Sequence, residues 1–211
     1  MLRYLCFDLD GTLTDSRQGI VFSFCRGLRA VSAPVSTEQG FYDFVIGPPL
    51  SDSYRALGVP EERIWDAIAA YRAYYDVEGL YECRVYDGVT EALCRLKAAG
   101  AHLYVVTAKP EVYARRILER FFPADLFEDI IGPTLKEIEQ PKAELLRLLL
   151  ARHGIAPSAE VAMIGDRLYD AEAARAMGVT AVGVSWGFGS REELAEAGLD
   201  ILWENPSEIQ L

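Results

Sequence analysis

Two apolar periods alternate along most of this chain. Val89, Ala92, Leu93 and Leu96 recur at helical spacing, Gly100 closes that helix, and His102 to Thr107 reads as a buried strand. The same order returns twice. A Leu-rich helix over about Lys142 to His153 ends at Gly154, and Val161 to Gly165 follows as a strand. Another helix, about Leu168 to Met177, ends at Gly178 before an apolar run from Val179 to Val184. A glycine just past a helix end takes the left-handed cap conformation cheaply. Pro110 fits the first turn of a helix after Thr107, where its missing N–H costs nothing. Leu5-Cys6-Phe7 supplies an apolar strand near the N-terminus. Strands alternating with helices predict an α/β fold, a parallel sheet covered on both faces.

Residues 16–84 break this rhythm. Ile20, Val21, Phe24, Leu28 and Val31 form one helical stripe, and Ile64, Ile68, Tyr71 and Tyr75 form another, with no convincing buried strand between them. The pattern predicts an all-helical insertion at 16–84, with 1–15 and 85–211 making the core. No internal repeat, low-complexity tract or long linker is present.

With 211 residues and a formal net charge of −11, the chain lacks the diffuse positive field that nucleic acid or an anionic membrane requires. Any phosphate it binds must occupy a small local site. The four cysteines show no metal-binding spacing, and three lie in apolar runs, so free buried thiols are expected. Met1 to Phe7 is too short an apolar run for a signal peptide, and no stretch approaches the ~20 apolar residues of a membrane helix. The expectation is a cytoplasmic protein acting on a small molecule; the sequence carries no signal of oligomeric state.

Charge then enters at the strand ends, where open parallel sheets bind their ligands. The first strand runs into Asp8-Leu9-Asp10-Gly11-Thr12. In an extended chain Asp8 and Asp10 project to one side, and two acids so placed require a cation, a lysine or a raised pKa. The second strand ends in Thr107-Ala108-Lys109-Pro110, the next in Gly165-Asp166-Arg167-Leu168-Tyr169-Asp170, and Lys142 opens the helix between them. Each residue has a plainer reading: Asp166 as a helix N-cap, Lys142 as a surface lysine, Thr107 as a polar strand end. Asp170, one turn after Asp166 on the same face, is not explained by capping. A calcium loop fails, because its sixth and twelfth positions counted from Asp8 hold Leu13 and Gly19.

Four acids, a hydroxyl and a lysine on one sheet edge suit phosphoryl transfer to a carboxylate. Mg2+ prefers one or two carboxylates with waters and a substrate phosphate, and Asp8, the Asp10 carbonyl and Asp166 would hold it. Asp8 would attack phosphorus to give an aspartyl-phosphate, with Lys142, the Thr107 hydroxyl and the Ala108 N–H on the phosphate oxygens. Asp10, read as not charge-paired, would protonate the leaving oxygen and later activate water.

These residues resemble the four ordered motifs of the haloacid dehalogenase superfamily: Asp8-Leu9-Asp10-Gly11-Thr12-Leu13, Thr107, Lys142 and Gly165-Asp166-x-x-x-Asp170. The resemblance covers essentially the whole chain. It implies a Rossmann-like core, a helical cap at 16–84 that closes over substrate, and a Mg2+-dependent phosphatase. It also implies Asp8 as nucleophile, Asp10 as acid and base, Thr107 and Lys142 on phosphate, and Asp166 with Asp170 around the metal; Gly11 and Ala108 join the substrate-binding set. Ile46-Gly47-Pro48-Pro49-Leu50, Gly79-Leu80-Tyr81 with Val85-Tyr86-Asp87-Gly88, Thr107-Ala108-Lys109-Pro110, Met163-Ile164-Gly165-Asp166-Arg167 and Gly187-Phe188-Gly189-Ser190 are similar to the phosphoglycolate phosphatase-like and 5′-nucleotidase-like subgroup. Gln140-Pro141 stand where that subgroup more often has an acid before the lysine, which leaves Lys136 as a second candidate for the lysine role. Arg55, just beyond Gly47-Pro48-Pro49, is a candidate substrate contact, set against a helix start with a solvated arginine. The Trp186-Gly187-Phe188-Gly189 loop is a candidate for the entrance, set against glycines that serve turns. Dehalogenases do not need Asp10, and phosphonate cleavage uses a cap lysine, whereas residues 16–84 contain none. A sugar-phosphate mutase, or a non-catalytic phosphometabolite-binding regulator, remains as the alternative function.

Overall fold

A computed structural model describes residues 1–135 and 140–211. Its strands are β1 (Tyr4–Phe7), β2 (Thr14–Asp15), β3 (Arg84–Val85), β4 (His102–Val106), β5 (Asp129–Ile131), β6 (Val161–Gly165), β7 (Thr180–Val184) and β8 (Ile201–Trp203). Six of them form one sheet in the order β5-β4-β1-β6-β7-β8, and every pairing in it is parallel. The short strands β2 and β3 bracket the helical insertion in the chain.

The chain divides into two compact units, Met1–Asp15 with Val85–Leu211, and Ser16–Arg84. The first holds the sheet and the helices α4 (Val89–Ala98), α5 (Glu111–Phe121), α6 (Lys142–His153), α7 (Leu168–Met177) and α8 (Arg191–Glu196). Leu145, Leu146, Leu149 and Leu150 of α6 pack with Ala171 and Ala174 of α7 against Cys6, Tyr104 and Met163 of the sheet. Strands buried this completely need no polar alternation, which is why each reads as a continuous apolar run. Gly154 and Gly178 cap α6 and α7 at φ of 65° and 66°. Pro110 stands at the N-cap of α5 rather than inside its first turn, with Glu111 as the first helical residue.

The second unit contains α1 (Arg17–Ala30), α2 (Leu50–Ala56) and α3 (Glu61–Tyr75). Tyr54 of α2 stacks on Phe24 of α1 with centroids 4.2 Å apart, and its hydroxyl donates to the Phe24 carbonyl at 3.2 Å. A buried tyrosine thus satisfies its polar tip on the backbone it packs against. All four cysteines are free; Cys6 and Cys25 are buried as expected, but Cys94 is exposed on α4. No helix among the described residues is long and apolar enough to cross a membrane.

Counting only the six sheet strands in chain order, the sheet runs 3-2-1-4-5-6. In that order the chain's direction of winding reverses beside the first strand, and the crevice beyond the strand ends there is where such sheets bind ligands. The expected Rossmann-like core is present, and β1, flanked by β4 and β6, delivers Asp8 to that crevice.

Candidate active site

Asp8 follows directly on β1, its N–H donating to Ile164 O of β6 at 2.8 Å. The strand stops at Phe7 and the chain bends at Leu9, between Asp8 and Asp10. Their carboxylates go to different cations. Lys142 Nζ lies 2.8 Å from Asp8 Oδ2 and 2.6 Å from Asp170 Oδ1. Lys109 Nζ lies 2.8 Å from Asp10 Oδ2. Asp10 is therefore charge-paired, which corrects the sequence reading. A lysine closing an apolar strand was the available signal.

Lys142 is no surface lysine. Its side chain is 8% exposed, and it starts α6 with Pro141 at the N-cap. Burial disfavours its charge, but Asp170 and then Asp8 hold its pKa above the usual lysine range. The second lysine candidate, Lys136, lies outside the described residues.

Asp166 sits immediately after β6 and is wholly buried. It is not the helix N-cap: that position belongs to Arg167. Each Asp166 oxygen has a donor, Thr12 Oγ1 on Oδ1 at 3.2 Å and the Phe188 N–H on Oδ2 at 2.7 Å. Gly11, at φ +85°, permits this approach, since a Cβ there would fall 2.2 Å from Asp166 Oδ2. At Gly187 a Cβ would stand 2.3 Å from Asp166 Cβ and 2.4 Å from Gly11 O. The glycines of the 186–189 loop therefore serve close packing on Asp166, beyond any part in a turn. Trp186 Nε1 ties the same loop to Thr12 O at 3.0 Å.

Asp170 does explain itself partly as a cap. Its Oδ2 accepts the Arg167 N–H at 3.2 Å while Oδ1 holds Lys142. Thr107 is buried just beyond β4, and its Oγ1 accepts the Lys109 N–H at 3.2 Å, which leaves the hydroxyl proton for another acceptor. Ala108, next to it, is exposed. Arg55 lies on α2 in the other unit, with its guanidinium held by Asp52 at 2.7 Å and Glu61 at 2.9 Å. Leu50 begins that helix, and the Arg55 side chain is about half exposed.

Electrostatically the cluster is short of positive charge. Among the described residues, Asp8, Asp166 and Asp170 bring carboxylate oxygens within 4.8 Å of one another, against the one ammonium of Lys142. Burial, then Asp170, then Asp8, push Asp166 up to about 7. Burial also raises Asp170, outweighing the ammonium beside it. Asp8 Oδ1 is buried with no hydrogen-bond partner among the described residues. Hard oxygen donors, surplus negative charge and an orphaned carboxylate oxygen fit a divalent cation of the Mg2+ class.

Over residues 5–184 the sequence matches the family described as haloacid dehalogenase-like hydrolase. The chain belongs to that family. Among its relatives in this haloacid dehalogenase-like family, a 5′-nucleotidase of Pseudomonas aeruginosa is 42% identical over 198 residues, covering 92% of this chain and 88% of the relative. Tyrosine-protein kinase PtkA of Mycobacterium tuberculosis is 40% identical over 183 residues, covering 87% of this chain and 62% of that longer protein. A crystal structure described as a predicted phosphatase from Clostridium acetobutylicum superposes with a TM-score of 0.87 at 38% identity, covering 97% of this chain and 94% of the other. The expectation of a hydrolase of the phosphatase kind is borne out by these matches.

Proposed function

We propose that the chain is a Mg2+-dependent phosphomonoesterase that hydrolyses a small phosphorylated metabolite through an aspartyl-phosphate. The observation that carries this reading is the bridge made by Lys142 between Asp8 and Asp170, beside a buried Asp166. An ion pair this buried is weak evidence for stability but suits a site that must hold a carboxylate ionised against an incoming anion. Mg2+ would be held by Asp8, Asp166 and the Asp10 carbonyl, with Asp170 behind them, and would neutralise phosphate charge.

Asp8 is the nucleophile in this reading. Its Oδ2 is fixed by Lys142, and the second oxygen has no partner to surrender. The Thr107 hydroxyl and the Ala108 N–H orient a phosphate oxygen, and Lys142 shares its charge with another. Asp10 donates a proton to the leaving oxygen, then takes one from the water that hydrolyses the acyl phosphate. The four free cysteines suit the reducing cytoplasm. Phosphoglycolate and nucleoside 5′-monophosphates are the proposed substrate classes, the second supported by the relative named 5′-nucleotidase.

Phosphate release with Mg2+ from a panel of phosphoglycolate, nucleoside 5′-monophosphates, sugar phosphates and phosphotyrosine tests the reading. Asp8→Asn is expected to abolish release with its far-UV spectrum unchanged, and exhaustive EDTA treatment to do the same reversibly. Isomerisation of a sugar phosphate without phosphate release would point to the mutase alternative. No turnover and binding only would point to the regulator.

A further inference from the structure

Two aspartates in one short motif have two separate lysines, and the second lysine has no role in the chemistry above. Lys109 is buried, its side chain 5% exposed, yet it ends an apolar strand beside the crevice. Its ammonium meets Asp10 Oδ2 at 2.8 Å; Asp10 Oδ1 is buried with no hydrogen-bond partner among the described residues. The lysine's own backbone is fixed from both sides. Its N–H donates to Thr107 Oγ1, and its carbonyl lies against Gly132, where a Cβ would fall 2.4 Å away.

Resting on the phosphatase reading, we infer that Lys109 is the positioning residue for Asp10, holding that carboxyl group at the one place from which it can serve both half-reactions. In the first, an Asp8 oxygen bonds to phosphorus and the bond to the leaving oxygen breaks. That oxygen keeps the electron pair and receives the Asp10 proton. In the second, water attacks phosphorus, its proton passes to the Asp10 carboxylate, and the bond to Asp8 breaks to give inorganic phosphate and free Asp8. A side chain with one oxygen unpartnered has little else to fix its rotamer, so the lysine sets where the proton is given and taken. Thr107 and Lys109 thereby couple phosphate placement to acid placement through one backbone turn.

Lys109→Met and Lys109→Arg are the test, compared with Asp10→Asn on p-nitrophenyl phosphate and on an alkyl phosphomonoester such as phosphoglycolate. Lys109→Met is expected to lose kcat on the alkyl ester on the order of 10²-fold while KM stays within about threefold. With p-nitrophenyl phosphate it is expected to show a stoichiometric burst of p-nitrophenolate followed by slow turnover, because phosphoenzyme hydrolysis still needs the base. Lys109→Arg should restore part of the loss. Mg2+ binding followed by thermal shift should match the unmodified protein, which a general structural fault would not allow. Equal losses on the two esters without a burst, a raised KM at unchanged kcat, or no effect would each overturn the inference. If Lys109→Met does not fold, Lys109→Gln is read against the same outcomes. If Asp10→Asn shows the leaving-group dependence and the lysine variants do not, only this inference fails. If the unmodified protein releases no phosphate, the underlying reading fails instead.

Discussion

At the scale of single residues, the site is a problem of charge compensation that Lys142 solves in part. Removing it would leave Asp8, Asp166 and Asp170 buried together with no ammonium among them. Breaking one side of a buried ion pair typically costs about 3–5 kcal/mol. Lys142→Met is therefore expected to lose that order of stability in urea denaturation at pH 8 without Mg2+. The loss should shrink at pH 5, where Asp166 and Asp170 take up protons. A loss equal at both pH values would show that packing rather than charge is what the lysine supplies. The acids of this site were legible in the sequence because alternating carboxylates at strand ends have few structural uses. The pairing of Asp10 with Lys109 was not, since the two residues are far apart in the chain and are brought near each other only when β1 and β4 pair side by side.

At the scale of elements, the loop after β7 deserves as much weight as the strand ends it faces. Gly187 lies where a methyl group would press on Asp166 Cβ and the Gly11 carbonyl, so that something there must shift to admit it. Gly187→Ala is expected to destabilise by about 1–3 kcal/mol as an overpacked site. By displacing Asp166 it should also weaken Mg2+ affinity by roughly 10–100-fold, read by calorimetric titration. Unchanged affinity would separate the loop from the metal-binding acids. The central strands β1, β4, β6 and β7 and the helices α4, α6 and α7 were all readable from periodicity. The edge strands β5 and β8 were not: each has three residues, and an apolar run that short is too brief to be told from a loop or a helix end. The seven-residue α2 is likewise too short to show a stripe. Periodicity needs several turns or alternations to register, and these three are too short to supply them.

At the scale of the whole molecule, the acids tie stability to pH. Asp166, raised from 3.8 to about 7, binds its proton more tightly folded than unfolded. Its contribution is full below the unfolded value near 4 and is lost as pH rises through about 7. The interval corresponds to roughly 4 kcal/mol against the ionised form. Metal-free protein should thus lose thermal stability between pH 4 and 7, and Asp166→Asn should flatten that decline. Mg2+ should raise the Tm more at pH 8 than at pH 5, because the cation favours the ionised acids; equal increments at both would contradict the assignment. The two proteins differ in a single acid out of the chain's 32, so the difference between their pH profiles isolates that one carboxyl group.

One carboxylate links these scales. Asp170 holds Lys142 with one oxygen and the N–H of Arg167, the N-cap of α7, with the other. Any substitution that silences its charge also loosens the helix start, so an inactive version of this protein made at position 170 would be a softer protein too. At Asp8 the deletion would leave every helix start intact; at Asp170 it would be audible in the fold.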